Sequence, residues 1–273
     1  EQGNVYAQSE LGDFYFYGSC VEQNYGEAVK WYEKAAANGN GQAMNNLGSS
    51  YLNGEGVTQN YQKAVEWFQK AAALNNYTAV ANIGYCYEFG RYVAKDYAKA
   101  FEYYKMAADK DVDYAMNKLG RFYENGTSVT ADNKLAFEWY MKSAQKGNRH
   151  SQFKVGRFYD IGKGTAQNYQ LAKTWYEKAA EQGDVKAQYK VAVYYDEGKG
   201  VAQDLEKAEV WYTKAAEQGH ASAQYNLGNS YYHGEGVKRD ETTAVSWYRK
   251  AADQGHAKAQ FMMGVCYDKG LGV

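Results

Sequence analysis

The chain has 273 residues, 45% of them hydrophobic and 23% charged, with 31 Lys and Arg against 32 Asp and Glu. A formal charge of −1 removes the overall basic footprint of a general nucleic-acid binder, and apolar runs such as Val191-Ala192-Val193-Tyr194-Tyr195 fall far short of the ~18 residues a membrane span needs. Three Cys make no disulfide framework and Glu1-Gln2-Gly3-Asn4 does not read as a signal peptide. No Pro is present where average usage would give roughly 14, which argues for helix nearly everywhere.

A fixed period of 36 residues organises the chain. One ladder is Trp31, Trp67, Tyr103, Trp139, Trp175, Trp211 and Trp247, each followed by a second aromatic: Tyr32, Phe68, Tyr104, Tyr140, Tyr176, Tyr212 and Tyr248. A second is Gly12, Gly48, Gly84, Gly120, Gly156, Ala192, Gly228 and Gly264, and a third is Tyr15, Tyr51, Tyr87, Tyr123, Tyr159, Tyr195, Tyr231 and Tyr267. Each unit divides into two amphipathic patterns. In the clearest copy Ala223, Leu227 and Tyr231 fall four apart on one helical face, and Ala208, Trp211 and Ala215 share another at spacings of three and four. The spacing predicts first helices near 5–17, 41–53, 77–89, 113–125, 149–161, 185–197, 221–233 and 257–269. Second helices are predicted near 25–38, 61–74, 97–110, 133–146, 169–182, 205–218 and 241–254. Gly inside a helix costs about 0.5–1 kcal/mol relative to Ala. Its recurrence at one slot, with Ala192 as the sole exception, predicts that a neighbouring helix leaves no room for a Cβ.

Gly-x-Gly turns close the first helices at Gly54-Glu55-Gly56, Gly162-Lys163-Gly164, Gly198-Lys199-Gly200 and Gly234-Glu235-Gly236. Three copies depart from the pattern, at Cys20, Tyr92 and Ser128. Most second helices stop at a Gly (Gly39, Gly147, Gly183, Gly219, Gly255), and Asn40, Asn148, Asp184, His220 or His256 follows in a place that suits the N-cap of the next helix. Helix pairs this short cannot bury their apolar faces alone and must stack. The predicted fold is all-α, a right-handed α/α superhelix of 36-residue helix-turn-helix repeats. Residues 1–273 are expected to form a single solenoid of about seven and a half units.

The pattern Ala-x-Ala-x-x-x-Leu-Gly-x-x-Tyr, Gly-x-Gly-Val, Lys-Ala-x-x-Trp-Tyr-x-Lys-Ala-Ala-x-x-Gly resembles the Sel-one-like repeat (SLR), a relative of the tetratricopeptide repeat, over the whole chain. The chain departs from it by lacking the Pro frequent after the turn, where Thr58, Ala94, Thr130, Ala166, Ala202 and Lys238 stand. The resemblance implies that first helices line a concave groove and that the protein is a non-enzymatic adaptor for a protein or peptide. No cofactor, nucleic-acid partner or direct membrane insertion is expected, and a monomer is favoured. The expected source is bacterial, with the chain cytoplasmic or exported. The alternative role is a structural spacer or assembly subunit working through terminal or convex surfaces, motivated by the half-repeat at Ala257–Val273.

The groove slots vary while the ladders do not, as a scaffold with its own binding face would show. Copies four to six concentrate cations there, Lys118, Arg121, Lys154, Arg157 and Lys190, with Asn117 among them and Tyr85, Phe153, Tyr189 and Tyr225 as flat walls. Two Arg in equivalent slots, Arg121 and Arg157, suit a carboxylate or an acidic run. The same cations lie about a turn from Glu124, Asp160, Asp196 and Glu197 and can pair locally instead. The aromatic slots are equally suited to core filling.

Catalytic and metal motifs fare poorly. Ser151-Gln152-Phe153-Lys154 and Ser143-Ala144-Gln145-Lys146 match the Ser-x-x-Lys of penicillin-recognising enzymes, and some relatives of this repeat are linked to β-lactams. The companion motifs are absent, and both Ser stand in slots held by Ala elsewhere. Asp109, Asp111 and Asp113 begin like a calcium loop, but Tyr114 occupies the sharp-turn Gly position and no Glu closes it. No catalytic or metal site is expected.

Overall fold

The computed structural model describes residues 4–272. The stretch Glu1-Gln2-Gly3, read above for a leader segment, lies outside them, as does Val273. Fifteen α-helices and no strand occur among the described residues. They fall into two compact units, residues 4–132 and 133–272.

The first unit holds α1 (Val5–Tyr17), α2 (Tyr25–Ala37), α3 (Gly41–Asn53), α4 (Tyr61–Ala73), α5 (Tyr77–Phe89), α6 (Tyr97–Ala108) and α7 (Asp113–Asn125). The second holds α8 (Asn133–Gln145), α9 (Arg149–Ile161), α10 (Tyr169–Glu181), α11 (Val185–Glu197), α12 (Leu205–Glu217), α13 (Ala221–His233), α14 (Glu241–Asp253) and α15 (Ala257–Lys269). Within each unit every helix packs on its neighbours in sequence, the arrangement of a helical-repeat solenoid.

Short polar side chains start the helices. Asn40, Asn76, Asn148 and Asp184 accept the backbone N–H three residues on at 2.8–3.0 Å, and the Nδ1 atoms of His220 and His256 do the same at 3.2 and 3.3 Å. Left-handed residues end them: Gly39, Gly147, Gly183, Gly219 and Gly255 all have positive φ, and Asn75 and Asp111 take the same conformation. The three turns that lack a second Gly keep its backbone nonetheless, with φ of 64° at Cys20, 66° at Tyr92 and 62° at Ser128.

The interior Gly slot is where two helices of a pair touch. A Cβ on Gly48 would stand 2.5 Å from the Phe68 ring, on Gly156 2.7 Å from Tyr176, and on Gly228 2.6 Å from Tyr248. The rings of Tyr32, Phe68, Tyr104, Tyr176, Tyr212 and Tyr248 are accordingly buried. The Trp ladder turns outward: Lys34, Lys70, Lys142, Lys178, Lys214 and Lys250 each lay an ammonium 3.9–4.4 Å from the centre of the Trp ring three residues earlier.

Candidate functional site

Each first helix carries the expected groove residues on either side of its Gly slot. In the first unit these include Tyr85, Asn117, Lys118 and Arg121. Lys118 is buried, its ammonium 5.1–5.8 Å from the ring centres of Tyr85, Phe89, Tyr104 and Tyr114. Burial pushes its amine down to about 8. The partner that keeps it there is Glu88 of α5, a buried carboxylate. Glu88 accepts from Lys118 Nζ at 3.1 Å and from the Tyr104 hydroxyl at 2.7 Å, and also pairs with Arg121. Tyr85 is half-buried, its ring 4.6 Å from that of Phe89, and Asn117 is half-buried too.

The second unit repeats the device around Asp160 of α9. Lys199 Nζ donates to Oδ1 at 2.7 Å, Lys190 Nζ stands 3.7 Å from Oδ2, and the Tyr176 hydroxyl lies at 3.4 Å. Burial alone would raise this carboxyl, but the Lys199 and Lys190 charges and the polar hydrogens about it hold it below the usual range. The buried Tyr194 hydroxyl lies beside Asp160, and burial first, then that carboxylate, push its pKa up. Phe153, Tyr189 and Tyr225 lie half-buried against Tyr176, Tyr212 and Tyr248, at ring separations of 5.5, 6.1 and 6.0 Å. Tyr189 and Tyr225 also stack on the capping imidazoles of His220 and His256, at 4.4 and 4.9 Å. These rings fill the core on one edge and face outward on the other. Lys154 is half-buried, 5.6 Å from the Tyr140 ring centre. Arg157 is exposed and makes no ion pair among the described residues.

The cations on Glu88 and Asp160 come from the next repeat rather than from the same helix, 30 or more residues on. The sequence signal for these acids is the 36-residue spacing of Glu88, Glu124, Asp160 and Asp196. A second polar ladder was also missed. Gln152, Gln188 and Gln224 are buried, each donates to a second-helix carbonyl eight residues earlier, and each accepts at 2.7 Å from Gln182, Gln218 or Gln254. The first unit has Met44, Val80 and Met116 in those slots.

The Ser-x-x-Lys motifs do not form a nucleophilic centre. Ser151 Oγ and Ser143 Oγ are hydrogen-bonded to each other at 2.8 Å and have no exposed surface. Among the described residues no three His, Cys, Asp or Glu side chains gather as metal ligands, and no helix is long and apolar enough to cross a membrane.

The model of the Sel1 repeat matches residues 5–40, 41–76, 78–112, 113–148, 149–184, 185–220, 221–256 and 257–273. The chain belongs to the Sel1 repeat family. It is 35% identical to a Sel1 repeat protein from Oxalobacter formigenes, over 96% of this chain and 76% of that one, with a TM-score of 0.73. It is 34% identical to a protective antigen present in uropathogenic Escherichia coli strains that displays an SLR fold, over 100% of this chain and 74% of that one, with a TM-score of 0.55. No curated protein sequence matches it. Sel1 and related tetratricopeptide-like folds generally mediate protein–protein interactions, and their scaffolds are typically non-catalytic.

Proposed function

We propose that this Sel1 repeat chain is a non-enzymatic scaffold that holds a protein or peptide segment along the groove of its first helices, with a carboxylate of that segment engaged by Arg157. The observation that carries this reading is the state of the cations. Lys118 and Arg121 already serve Glu88, and Lys190 and Lys199 serve Asp160, whereas Arg157 is exposed and has no ionic partner among the described residues. Phe153, four residues earlier on α9, shares its face and supplies an apolar wall. A guanidinium forks a carboxylate through two parallel N–H donors, which gives direction as well as attraction. Similarity to two bacterial proteins supports a bacterial source.

Calorimetric titration with acidic peptides tests the anchor on the wild type, Arg157→Ala and Arg121→Ala. Loss of a charge-assisted pair predicts at least about ten-fold weaker binding for Arg157→Ala and a smaller change for Arg121→Ala. Equal affinity for wild type and Arg157→Ala removes the anchor.

A further inference from the structure

One small cavity in the second unit reproduces, slot for slot, the surroundings of Asp160, with the cations taken out. Asp196 of α11 replaces Asp160 and keeps its tyrosine, the Tyr212 hydroxyl donating at 2.9 Å. The residues that crowd Asp160 are changed 36 positions on: Lys199 becomes Glu235, Lys190 becomes Asn226, Tyr194 becomes Ser230 and Tyr169 becomes Leu205. Two ammoniums and two rings are lost, and a cavity of about 120 Å³ opens among Asp196, Tyr212, Asn226, Asn229, Ser230 and Glu235. Asp196 makes no ion pair among the described residues.

We infer that this cavity receives a primary ammonium group, the side chain of a lysine supplied by a bound protein segment. The occupant is argued from the preceding repeat, where the same place is filled by a lysine. There Lys199 Nζ sits 2.7 Å from Asp160 Oδ1, with the ring centres of Tyr169 and Tyr194 at 4.2 and 5.1 Å. At Asp196 the acid remains, the internal lysine is gone, and a second carboxylate stands at the mouth. The volume equals about four waters at ~30 Å³ each, room for an ammonium and the end of its alkyl stem. The three N–H donors have the carboxylates of Asp196 and Glu235 and the amide oxygen of Asn226 among the lining groups as acceptors, the Asn229 Oδ1 already accepting from the Tyr248 hydroxyl at 2.8 Å. Ser230 lies in the last turn of α13, the end of the helix dipole that favours positive charge.

The source of the lysine rests on the segment-binding reading above; the chemistry of the cavity does not. The test therefore uses a probe with no carboxylate: n-butylammonium chloride, titrated into the full chain while the Asn226 and Asn229 side-chain amides are followed by nitrogen-15 NMR. A saturable shift is expected, absent with neutral n-butanol. It should be lost in Glu235→Lys, which restores the residue found at position 199, and weakened about ten-fold in Asp196→Asn. Glu235→Gln, which keeps the turn and removes only charge, gives a second variant should Glu235→Lys disturb the fold. The inference is overturned by no saturable shift in the wild type, by the same shift with n-butanol, or by full response in both Glu235 variants. A response to calcium chloride without one to butylammonium also overturns it and assigns the cavity to an inorganic cation. Because the probe carries no carboxylate, failure of the carboxylate anchor and failure of the ammonium site are separable.

Discussion

The ring of Tyr248 lies 2.6 Å from where a Cβ on Gly228 would stand, while the same slot at Gly264 has nothing within 4 Å. The two glycines share one repeat position, and among the described residues a second-helix ring covers Gly228 and none covers Gly264. Gly228→Ala forces the ring or the helix away, an overpacking cost of about 1–3 kcal/mol that outweighs the gain in helix propensity. Gly264→Ala meets no ring and is expected to stabilise by about 0.5–1 kcal/mol. Urea unfolding of the two variants checks this, and changes of equal sign would refute the close-approach account of the slot.

The helix pairs and the reason for the Gly slot were readable because both follow from a period that the backbone must obey. The caps at His220 and His256 were readable for the same reason: Asn or Asp fills the equivalent place in most other copies. Glu88 was not, because its partners Lys118 and Arg121 lie 30 and 33 residues on, beyond the reach of any rule about neighbours on one helix. The departures at Cys20, Tyr92 and Ser128 put a residue with a Cβ where the pattern has its second Gly. The structure retains the left-handed backbone there, at about 1–2 kcal/mol each for a residue with a Cβ.

Ser143 and Ser151 give a cleaner test of how far such slots are coupled. Both occupy positions held by Ala in most other copies, both are fully buried, and the Ser151 hydroxyl donates to that of Ser143 at 2.8 Å. Removing either hydroxyl breaks this hydrogen bond, at about 0.5–1.5 kcal/mol. Ser143→Ala and Ser151→Ala are each expected to destabilise, and the double variant to cost less than the sum of the two. Additive losses in the double-mutant cycle would show that the hydroxyls do not act as a pair.

Glu88 is the centre on which Lys118, Arg121 and Tyr104 converge in the first unit. A buried ion pair adds little over a well-packed apolar replacement, but breaking one leaves a charge stranded. Glu88→Gln is therefore expected to cost about 3–5 kcal/mol, because Lys118 stays buried among four rings. Glu88→Gln with Lys118→Met removes the stranded ammonium and should recover most of that loss. Thermal unfolding of the single and double variants measures the recovery, and its absence would place the loss in the tyrosine hydrogen bond instead.

His220 links stability to pH. Its imidazole is stacked on Tyr189 at 4.4 Å and its Nδ1 accepts the Ala223 N–H at 3.2 Å. Burial lowers its pKa from the ordinary 6.5, and the charges of Lys186 and His256 act in the same direction. With the folded value below the unfolded one, the unfolded chain binds more protons in the window between them, so stability rises with pH there. The contribution is fully present above about 6.5 and is lost as the pH falls through the folded value. His220→Asn keeps a capping side chain, as Asn148 does in an earlier unit, and removes the titrating group. Between pH 7 and 5 the urea midpoint of the wild type should fall more steeply than that of His220→Asn. Parallel curves would mean that the imidazole gains no more from the unfolded state than from the stack on Tyr189.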